Sequence, residues 1–194
     1  GSQVKIAEDG EILIKGKHVF QGYLNNAEET AKTLDKDNWL HSGDLGHLDS
    51  ENYLSITGRK KNLIITAGGE NIAPEMIENK LKSIGGLEHA VVIGDQRKYL
   101  SALITLSPEA FSISKEIGSS ASSAEEISKC KKFNEYMQNQ VSAINTQMAR
   151  VQTIKKFSIL SSDFSEETGE LTPTQKTKRN VILSKYADEV EKLY

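Results

Sequence analysis

The chain contains three short segments whose residue types could bind a nucleotide or stabilise charge on a phosphate. In the first segment, residues 39–46, Asp44 lies between Gly43 and Gly46 where we expect a strand to start. An ionised carboxylate only accepts hydrogen bonds, so its oxygens could receive both hydroxyls of a ribose diol. The same carboxylate could instead cap a turn, and the spacing alone favours that simpler interpretation.

The second segment, residues 58–61, is a glycine followed by three consecutive cations, Arg59, Lys60 and Lys61. A cluster of this kind suits either contact with a phosphate or a solvated hinge between two domains. Taken alone, the segment favours the hinge, and we place a domain boundary between residues 60 and 61.

The third segment, residues 169–179, is a loop with a glycine and a proline that carries Lys176, Lys178 and Arg179 directly before the last predicted helix. A mobile lysine in such a loop can stabilise negative charge that develops on a phosphate group. An ordinary surface loop has the same composition and is the simpler interpretation of this segment by itself.

Hydrophobic periodicity and turn residues predict the elements that position these segments. In the first 60 residues we expect mostly strands: a hairpin of 4–6 and 11–15, a helix from Asn26 to about 34, and strands at 44–48 and 53–57. Beyond residue 60 the helices and strands alternate in a mixed order: strand 63–66, loop 67–69, a helix from Pro74, strands 89–94 and 100–106, helix 108–117, loop 118–123, one or two helices over 124–148, strand 155–160 and a last helix 180–194.

This pattern predicts an α+β fold, in which a β-rich piece precedes a small mixed sheet layered with helices. The chain has 194 residues with 37% hydrophobic residues, so it can bury a core and is not a disordered tail. Its net charge of −3 lacks the basic excess of a nucleic-acid binder. No apolar run is long enough to span a bilayer.

The cysteine and histidine content argues against disulfides and metal sites. A single cysteine, Cys130, excludes an internal disulfide and a Cys-rich zinc site, and we expect it to act as a small hydrophobic residue. The four histidines are too scattered to propose a metal site. A reducing, cytoplasmic location fits this composition best.

The three segments, in this order, resemble the adenylate-forming superfamily of acyl-CoA synthetases, luciferases and peptide synthetase adenylation domains. The resemblance extends from residues 10–16 nearly to the C-terminus, apart from an insert near residues 119–128. Residues 58–74 and 171–179, with Tyr186 and Tyr194 after them, are similar to long-chain fatty acyl-CoA synthetases of the bubblegum type. The resemblance implies that residues 1–60 end a large adenylation domain and that 61–194 form its small C-terminal lid domain.

The resemblance also implies roles for single residues in a two-step ligation of a fatty acid to coenzyme A. Asp44 would hold the ribose hydroxyls of AMP and Arg59 would contact the nucleotide, while Lys61 would be the hinge about which the lid domain rotates. Lys176 would stabilise charge during adenylation, with Lys178 as its rival.

Residues 68–70, Gly68, Gly69 and Glu70, would line the tunnel for the pantetheine arm of coenzyme A, although an ordinary turn before the Pro74 helix is also open. One apparent extra residue between Lys61 and Gly69, relative to plant coumarate-type ligases, leaves a second catalytic lysine unassigned.

Parts of the superfamily pattern are missing from the chain. The Ser/Thr/Gly-rich phosphate loop and the segment with a magnesium-binding Glu do not occur. ATP or AMP, coenzyme A and Mg²⁺ are the implied cofactors, and most of their contacts would come from those segments. The initial Gly1-Ser2 is typical of a tag-cleavage scar, so we expect a piece of a larger enzyme. Because the phosphate loop and the magnesium segment are missing, we expect this piece to be inactive alone.

Two other functions remain open at this point. An adenylating enzyme of the same superfamily could pass its acyl group to a carrier-protein thiol in place of coenzyme A. A non-catalytic module could have kept the fold and lost the reaction, although intact Asp44, Arg59 and Lys176 argue against that. Acyl chain length and membrane association of a parent enzyme are not determined by these residues.

Overall fold

The computed structural model describes residues 1–194 and divides them into two units, Gly1–Leu63 and Ile64–Tyr194. The predicted α+β fold class is confirmed. The division lies close to the boundary placed at residues 60 and 61, whereas the assignment of the units to parts of a larger enzyme stays a prediction.

The first unit is an antiparallel sheet of four strands in the order β1-β2-β3-β4, with one helix between the second and third strands. The predicted hairpin is confirmed, because Val4 pairs with Ile14 and Ile6 with Ile12. The elements of this unit are β1 (Gln3–Ile6), β2 (Glu11–Lys15), α1 (Ala27–Thr33), β3 (Leu40–Leu48) and β4 (Leu54–Arg59), followed by a 3-10 turn (Lys60–Asn62).

Helix α1 begins as its sequence predicts. The side chain of Asn26 accepts a hydrogen bond of 3.0 Å from the backbone N–H of Glu29, which satisfies one of the free donors of the first turn. Glu28 adds negative charge at this end and pairs with Lys32 one turn later.

Strand β3 is longer than predicted, and this changes the setting of Asp44. The strand starts at Leu40, so Asp44 lies in its middle and the predicted strand start was wrong. The pairing with β4 shifts between Leu45 and Gly46, which marks a bulge. A Cβ on Gly46 would come within 2.5 Å of the Ser55 carbonyl oxygen, so only glycine fits there.

The second unit is built around the three-stranded sheet β7-β8-β9. Strands β7 and β8 are antiparallel, whereas β8 and β9 are parallel, with Leu100 opposite Ile154. Its elements are β5 (Ile64–Ile65), β6 (Asn71–Ile72), α2 (Pro74–Leu81), β7 (Leu87–Ile93), β8 (Leu100–Leu106), α3 (Glu109–Glu116), α4 (Ala124–Lys129), α5 (Lys131–Asn145), a 3-10 turn (Arg150–Gln152), β9 (Ile154–Ile159), α6 (Arg179–Lys185) and α7 (Ala187–Glu191).

Both faces of this sheet are buried, so its central strand β8 is apolar almost throughout. One face carries a core that includes Val92 and Ile104 together with Phe133 of α5. The other face carries Val91 and Leu103, which pack against residues of α6, α7 and the preceding loop. The second unit therefore has three layers, with helices on each side of the sheet.

Two predictions for the second unit were wrong in detail. The predicted strand 63–66 is only the two-residue β5, which forms a hairpin with the unpredicted β6. The last helix is interrupted at Tyr186, whose φ of −106° and ψ of 28° end α6. The Tyr186 hydroxyl donates to Glu170 and its ring lies beside Phe164, so a tertiary contact holds the break.

Candidate functional site

Asp44 and Arg59, the two candidate nucleotide-binding residues, are brought together by the antiparallel pairing of β3 and β4. The two residues are direct cross-strand partners, and Arg59 Nε lies 2.6 Å from Asp44 Oδ1. The Asp44 side chain is 31% exposed and that of Arg59 is 49% exposed, so a ligand in solvent can reach both. The carboxylate therefore pairs with a cation at the surface and does not cap a turn.

A buried carboxylate, Glu11, supports the backbone around this pair. Glu11 accepts hydrogen bonds from the Gly43 N–H at 2.9 Å, from His41 Nδ1 at 3.2 Å and from Lys60 Nζ at 3.0 Å. Gly43, next to Asp44, has a φ of +71°, a conformation that favours glycine. Glu11 thus links β2 to the residues that flank Asp44 and Arg59.

The electrostatics of Glu11 and Lys60 reflect these contacts. Burial acts to raise the pKa of Glu11, but hydrogen bonds from Lys60, Gly43 and His41 outweigh it and hold that pKa below its usual value. Asp9, 2.6 Å from Lys60, and Glu11 together raise the pKa of Lys60. Sequence reasoning missed Glu11, because a glutamate at the start of a surface strand gives no signal of burial.

The candidate hinge residue Lys61 differs from its neighbour Lys60. Both lie in the 3-10 turn after β4, but Lys60 is tied to two carboxylates, whereas the Lys61 side chain is exposed and makes no hydrogen bond or ion pair. This setting agrees with the expectation that a hinge residue is free of packing. Its role as a hinge stays a prediction.

Gly68, Gly69 and Glu70 lie at the exposed tip of the β5–β6 hairpin. The tip is closed by hydrogen bonds from the Gly69 N–H to the Thr66 carbonyl and from the Thr66 N–H to the Glu70 carbonyl. Gly69 has a φ of +81°, and open space surrounds the place where its Cβ would be. The two glycines of this tip leave room for a narrow ligand to approach the backbone.

The loop between β7 and β8 holds this hairpin along one strand. The Ile65 N–H donates to Asp95 Oδ1 at 3.1 Å, and the Gln96 N–H donates back to the Ile65 carbonyl at 2.8 Å. The Ala67 N–H donates to the Arg97 carbonyl. The hairpin is therefore attached to the loop that joins β7 and β8, and it buries Ile64 and Ile72.

Lys176 lies on a tight loop whose two ends pair with each other. Leu171 and Thr177 form an isolated bridge, and the Thr172 N–H donates to the Lys176 carbonyl at 2.8 Å. The Lys176 N–H donates in turn to the Thr172 hydroxyl at 3.0 Å. Gln175 has a φ of +59° at the turn. The Lys176 side chain is exposed and makes no ion pair, so its ammonium is available to an anion.

The two cations after Lys176 have different surroundings. Lys178 is exposed at the start of α6. Arg179 is largely buried and donates to the Val92 carbonyl and to the Glu78 carboxylate, so it joins α6 to β7 and α2. Burial raises the pKa of Glu78 even though Arg179 acts in the opposite direction. Arg179 is thus part of the frame, whereas Lys176 and Lys178 both face solvent.

A second buried carboxylate that sequence reasoning missed, Glu170, lies at the base of the Lys176 loop. Its side chain is 1% exposed and accepts from Lys185 Nζ at 2.5 Å, from the Tyr186 hydroxyl and from the Thr168 hydroxyl. Burial acts to raise the pKa of Glu170, but the bonds from Lys185 and Thr168 outweigh it and lower that pKa to about 2.

Three further findings concern metal binding, the single cysteine and the helices. No group of three or more His, Cys, Asp or Glu side chains is placed to hold a metal ion. The Cys130 thiol donates to the Ser119 hydroxyl at 3.3 Å, a contact that lowers its pKa, and it lies between α4 and α5. None of the helices has the length and apolar character needed to cross a bilayer.

Comparison with known proteins points to one group of enzymes. Residues 61–194 match the family described as AMP-binding enzyme C-terminal domain. The whole chain is 40% identical to a protein named long-chain-fatty-acid–CoA ligase FadD15 from Mycobacterium tuberculosis. Over 95% of the chain it is 42% identical to long-chain-fatty-acid–CoA ligase ACSBG2 of Mus musculus. The chain spans 32% and 31% of the length of these two curated relatives.

Solved structures share the fold. The adenylation domain of a carboxylic acid reductase from Segniliparus rugosus, in complex with AMP and a carboxylic acid, matches the whole chain with a TM-score of 0.81 at 22% identity. The chain covers 31% of that structure. The o-succinylbenzoate CoA synthetase of Bacillus subtilis matches 92% of the chain with a TM-score of 0.63 at 26% identity, and the chain covers 33% of it.

Proposed function

The chain belongs to the AMP-binding enzyme C-terminal domain family, and on that premise we propose that it works as part of a long-chain-fatty-acid–CoA ligase. Such a ligase joins the acid to AMP with release of pyrophosphate, and the thiol of coenzyme A then displaces AMP to give the thioester. The observation that carries this function is the 40% identity, over the whole chain, to a protein named as such a ligase.

In the proposed enzyme, Asp44 and Arg59 bind the nucleotide. The free acceptor capacity of the Asp44 carboxylate takes the two ribose hydroxyls of AMP, since a carboxylate offers two oxygens. Arg59 holds that carboxylate in place through the ion pair of 2.6 Å and faces the nucleotide with its remaining donors. Glu11, below them, fixes the turn at Gly43 that presents Asp44.

Lys176 acts in the first half-reaction. Its unpaired ammonium stabilises the negative charge of the α-phosphate and of the attacking carboxylate as pyrophosphate leaves, and such a contact acts mainly in the transition state. Lys61 is the hinge between the half-reactions. The tip at Gly68, Gly69 and Glu70 borders the path of the pantetheine arm in the second half-reaction.

Magnesium and most contacts to ATP and coenzyme A would come from residues outside this chain. Within this chain, the residues proposed above orient the nucleotide, supply one cation and border the thiol.

A chimera tests the proposed function. Residues 1–194 replace the matching third of M. tuberculosis FadD15, and the two half-reactions are assayed separately. We expect ATP–pyrophosphate exchange with palmitate, and we expect Lys176→Ala to reduce this exchange by about 100-fold or more, in the range of a lost transition-state contact. Thioester formation from supplied palmitoyl-adenylate should stay within about threefold of the unsubstituted chimera.

Lys178→Ala is the matched control, since it removes a second exposed lysine two residues away and should change neither half-reaction. Equal loss of both half-reactions in Lys176→Ala would contradict the role of Lys176, and loss only in Lys178→Ala would transfer it to Lys178. A folded chimera without exchange for any acid would favour a non-catalytic module. Exchange followed by transfer only to a phosphopantetheinyl carrier protein would favour the carrier-loading alternative.

A further inference from the structure

We propose that Glu170 is a positioning residue for Lys176: its buried carboxylate ties the base of the Lys176 loop to helix α6 and so fixes where the ammonium can reach. This inference rests on the proposed role of Lys176 in adenylation. It concerns a buried ionised group to which that mechanism gives no task.

The Glu170 carboxylate is fully engaged with groups on either side of the loop. Lys185 at the end of α6 and Tyr186 just after it hold one oxygen, and Thr168 holds the other. A carboxylate in a buried place must be matched by donors, and a charged partner makes these bonds stronger than neutral ones. With its pKa at about 2, Glu170 is ionised at neutral pH and the pair with Lys185 is maintained.

The backbone of Glu170 meets both ends of the Lys176 loop. Its carbonyl accepts a hydrogen bond of 2.7 Å from the Lys178 N–H, on the far side of the loop. The next residue, Leu171, has a buried side chain and pairs with Thr177. Any shift of Glu170 therefore moves both stems of the loop together.

Helix α6, to which Glu170 is bound, is itself attached to the rest of the second unit. At its first residue, Arg179 is bound to the Val92 carbonyl and to Glu78, so that end is joined to β7 and α2. At its last residue, Lys185 is bound to Glu170. The loop that carries Lys176 is thus held at both ends of α6.

The Lys176 side chain itself adds no restraint, because its ammonium has no partner within the chain. The place from which this ammonium reaches out is set by the backbone of the loop alone. A misplacement of about 1 Å at a reacting centre can cost on the order of 100-fold in rate. Loosening Glu170 should therefore slow the half-reaction that uses Lys176 and leave the other unaffected.

Glu170→Gln is the direct test, because glutamine keeps the volume and one acceptor oxygen but removes the charge. In the FadD15 chimera we expect ATP–pyrophosphate exchange to fall by about 10- to 100-fold, in the range that misplacement of a catalytic group produces. Thioester formation from palmitoyl-adenylate should stay within about threefold. Glu125→Gln is the matched control, since it breaks a Glu–Lys pair on the surface of α4.

A double substitution separates positioning from general damage. If Glu170 acts through Lys176, adding Glu170→Gln to Lys176→Ala should reduce exchange by no more than about twofold further, because coupled effects are not additive. Additive losses, or equal loss of both half-reactions in Glu170→Gln, would overturn the inference. If Lys176→Ala alone leaves exchange unchanged, the proposed role of Lys176 fails instead.

Amide hydrogen exchange in the 194-residue chain gives a readout that needs no activity. In Glu170→Gln, and in Lys185→Met as a second variant, the N–H groups of Thr172, Lys176 and Lys178 should exchange at least about tenfold faster, as expected for local opening. The N–H groups of β8 should keep their rates. Unchanged loop rates in both folded variants would show that Glu170 does not hold the loop and would overturn the inference.

Discussion

The two units of the chain hold their candidate functional residues in different ways. The first unit buries only three hydrophobic side chains, those of Ile12, Leu13 and Leu45, and fixes Asp44 and Arg59 through a polar network. The second unit buries nineteen hydrophobic residues on one face of its sheet and nine on the other. Its Lys176 loop is attached to this core by buried side chains.

The difference shows where positional precision comes from in each unit. In the first unit, the bond between Glu11 and Lys60 holds the strands in place where a hydrophobic core would otherwise do so. Large apolar side chains such as Tyr53 and Ile56 are 68% exposed there. In the second unit, close-packed layers determine the backbone and a few buried ion pairs refine it. Three predictions test this contrast.

Separating the units should produce the largest effect. We expect residues 64–194 alone to unfold cooperatively in urea, because two apolar layers remain complete. We expect residues 1–63 alone to show no cooperative transition, since three buried hydrophobic side chains cannot offset the conformational entropy of a chain of this size. Circular dichroism of both pieces checks this, and a sharp transition in residues 1–63 would contradict the contrast.

The same substitution in each unit should have unequal effects. Leu103 on β8 is completely buried, so Leu103→Ala should cost toward the upper end of the about 2–5 kcal/mol typical of such changes. Around Leu45 in the first unit few side chains are buried, so the structure can relax into the space that Leu45→Ala leaves. We expect this substitution to lower the free energy of unfolding by about 2 kcal/mol or less. Urea unfolding of the 194-residue chain, followed by probes in each unit, measures both values. Equal costs would contradict the prediction.

The two buried glutamates should give the smallest difference, which is measured as the change of stability with pH in acid. The pKa of Glu170 is about 2 in the folded chain and 4.5 by its ordinary value, so its contribution to stability is present above pH 4.5 and is lost as pH falls toward 2. Glu170→Gln should therefore flatten the dependence of the unfolding free energy on pH in this window.

Glu11→Gln should flatten the same dependence in the same direction, because the pKa of Glu11 is also lowered. The flattening should be smaller for Glu11→Gln than for Glu170→Gln, because Glu11 lies in the first unit, which contributes less to cooperative unfolding. Urea midpoints measured from pH 2 to 6 compare the two variants with the unsubstituted chain. A stability curve that steepens in Glu170→Gln would contradict the sign.

Much of the fold could be predicted because it depends on local signals. The Asn26 cap, Pro74 at the start of α2 and the apolar runs of β7 and β8 each act through neighbours in the sequence, and the structure confirms them. The two successive helices α4 and α5 lie within the stretch where one or two were expected. The start and end of such elements are determined by residues close to them in the sequence.

The features that could not be predicted depend on residues far apart in the chain. Glu11 looks like an exposed strand residue until Lys60, 49 positions later, reaches it. The break at Tyr186 depends on Glu170 and Phe164, and the short hairpin β5–β6 depends on Asp95. The roles of Asp44, Arg59, Lys61 and Lys176 came from the pattern of a family, and they stay proposals until the half-reactions are measured.

The parallel pairing of β8 with β9 has a consequence for the order in which the second unit folds. Strands β7 and β8 are joined by a short loop and can form on the microsecond scale of a hairpin, on the order of 1–10 μs. Strand β9 pairs with β8 across the long connection from Leu106 to Ile154, so we expect this closure to come late and to limit the folding rate.

Loop closure of this size depends only weakly on length, about 0.6 kcal/mol for each doubling. The serine-rich stretch at 118–123 lies within that connection and outside its helices. We therefore expect that adding or deleting a few residues in this stretch changes the rate at which β9 pairs with β8 only slightly.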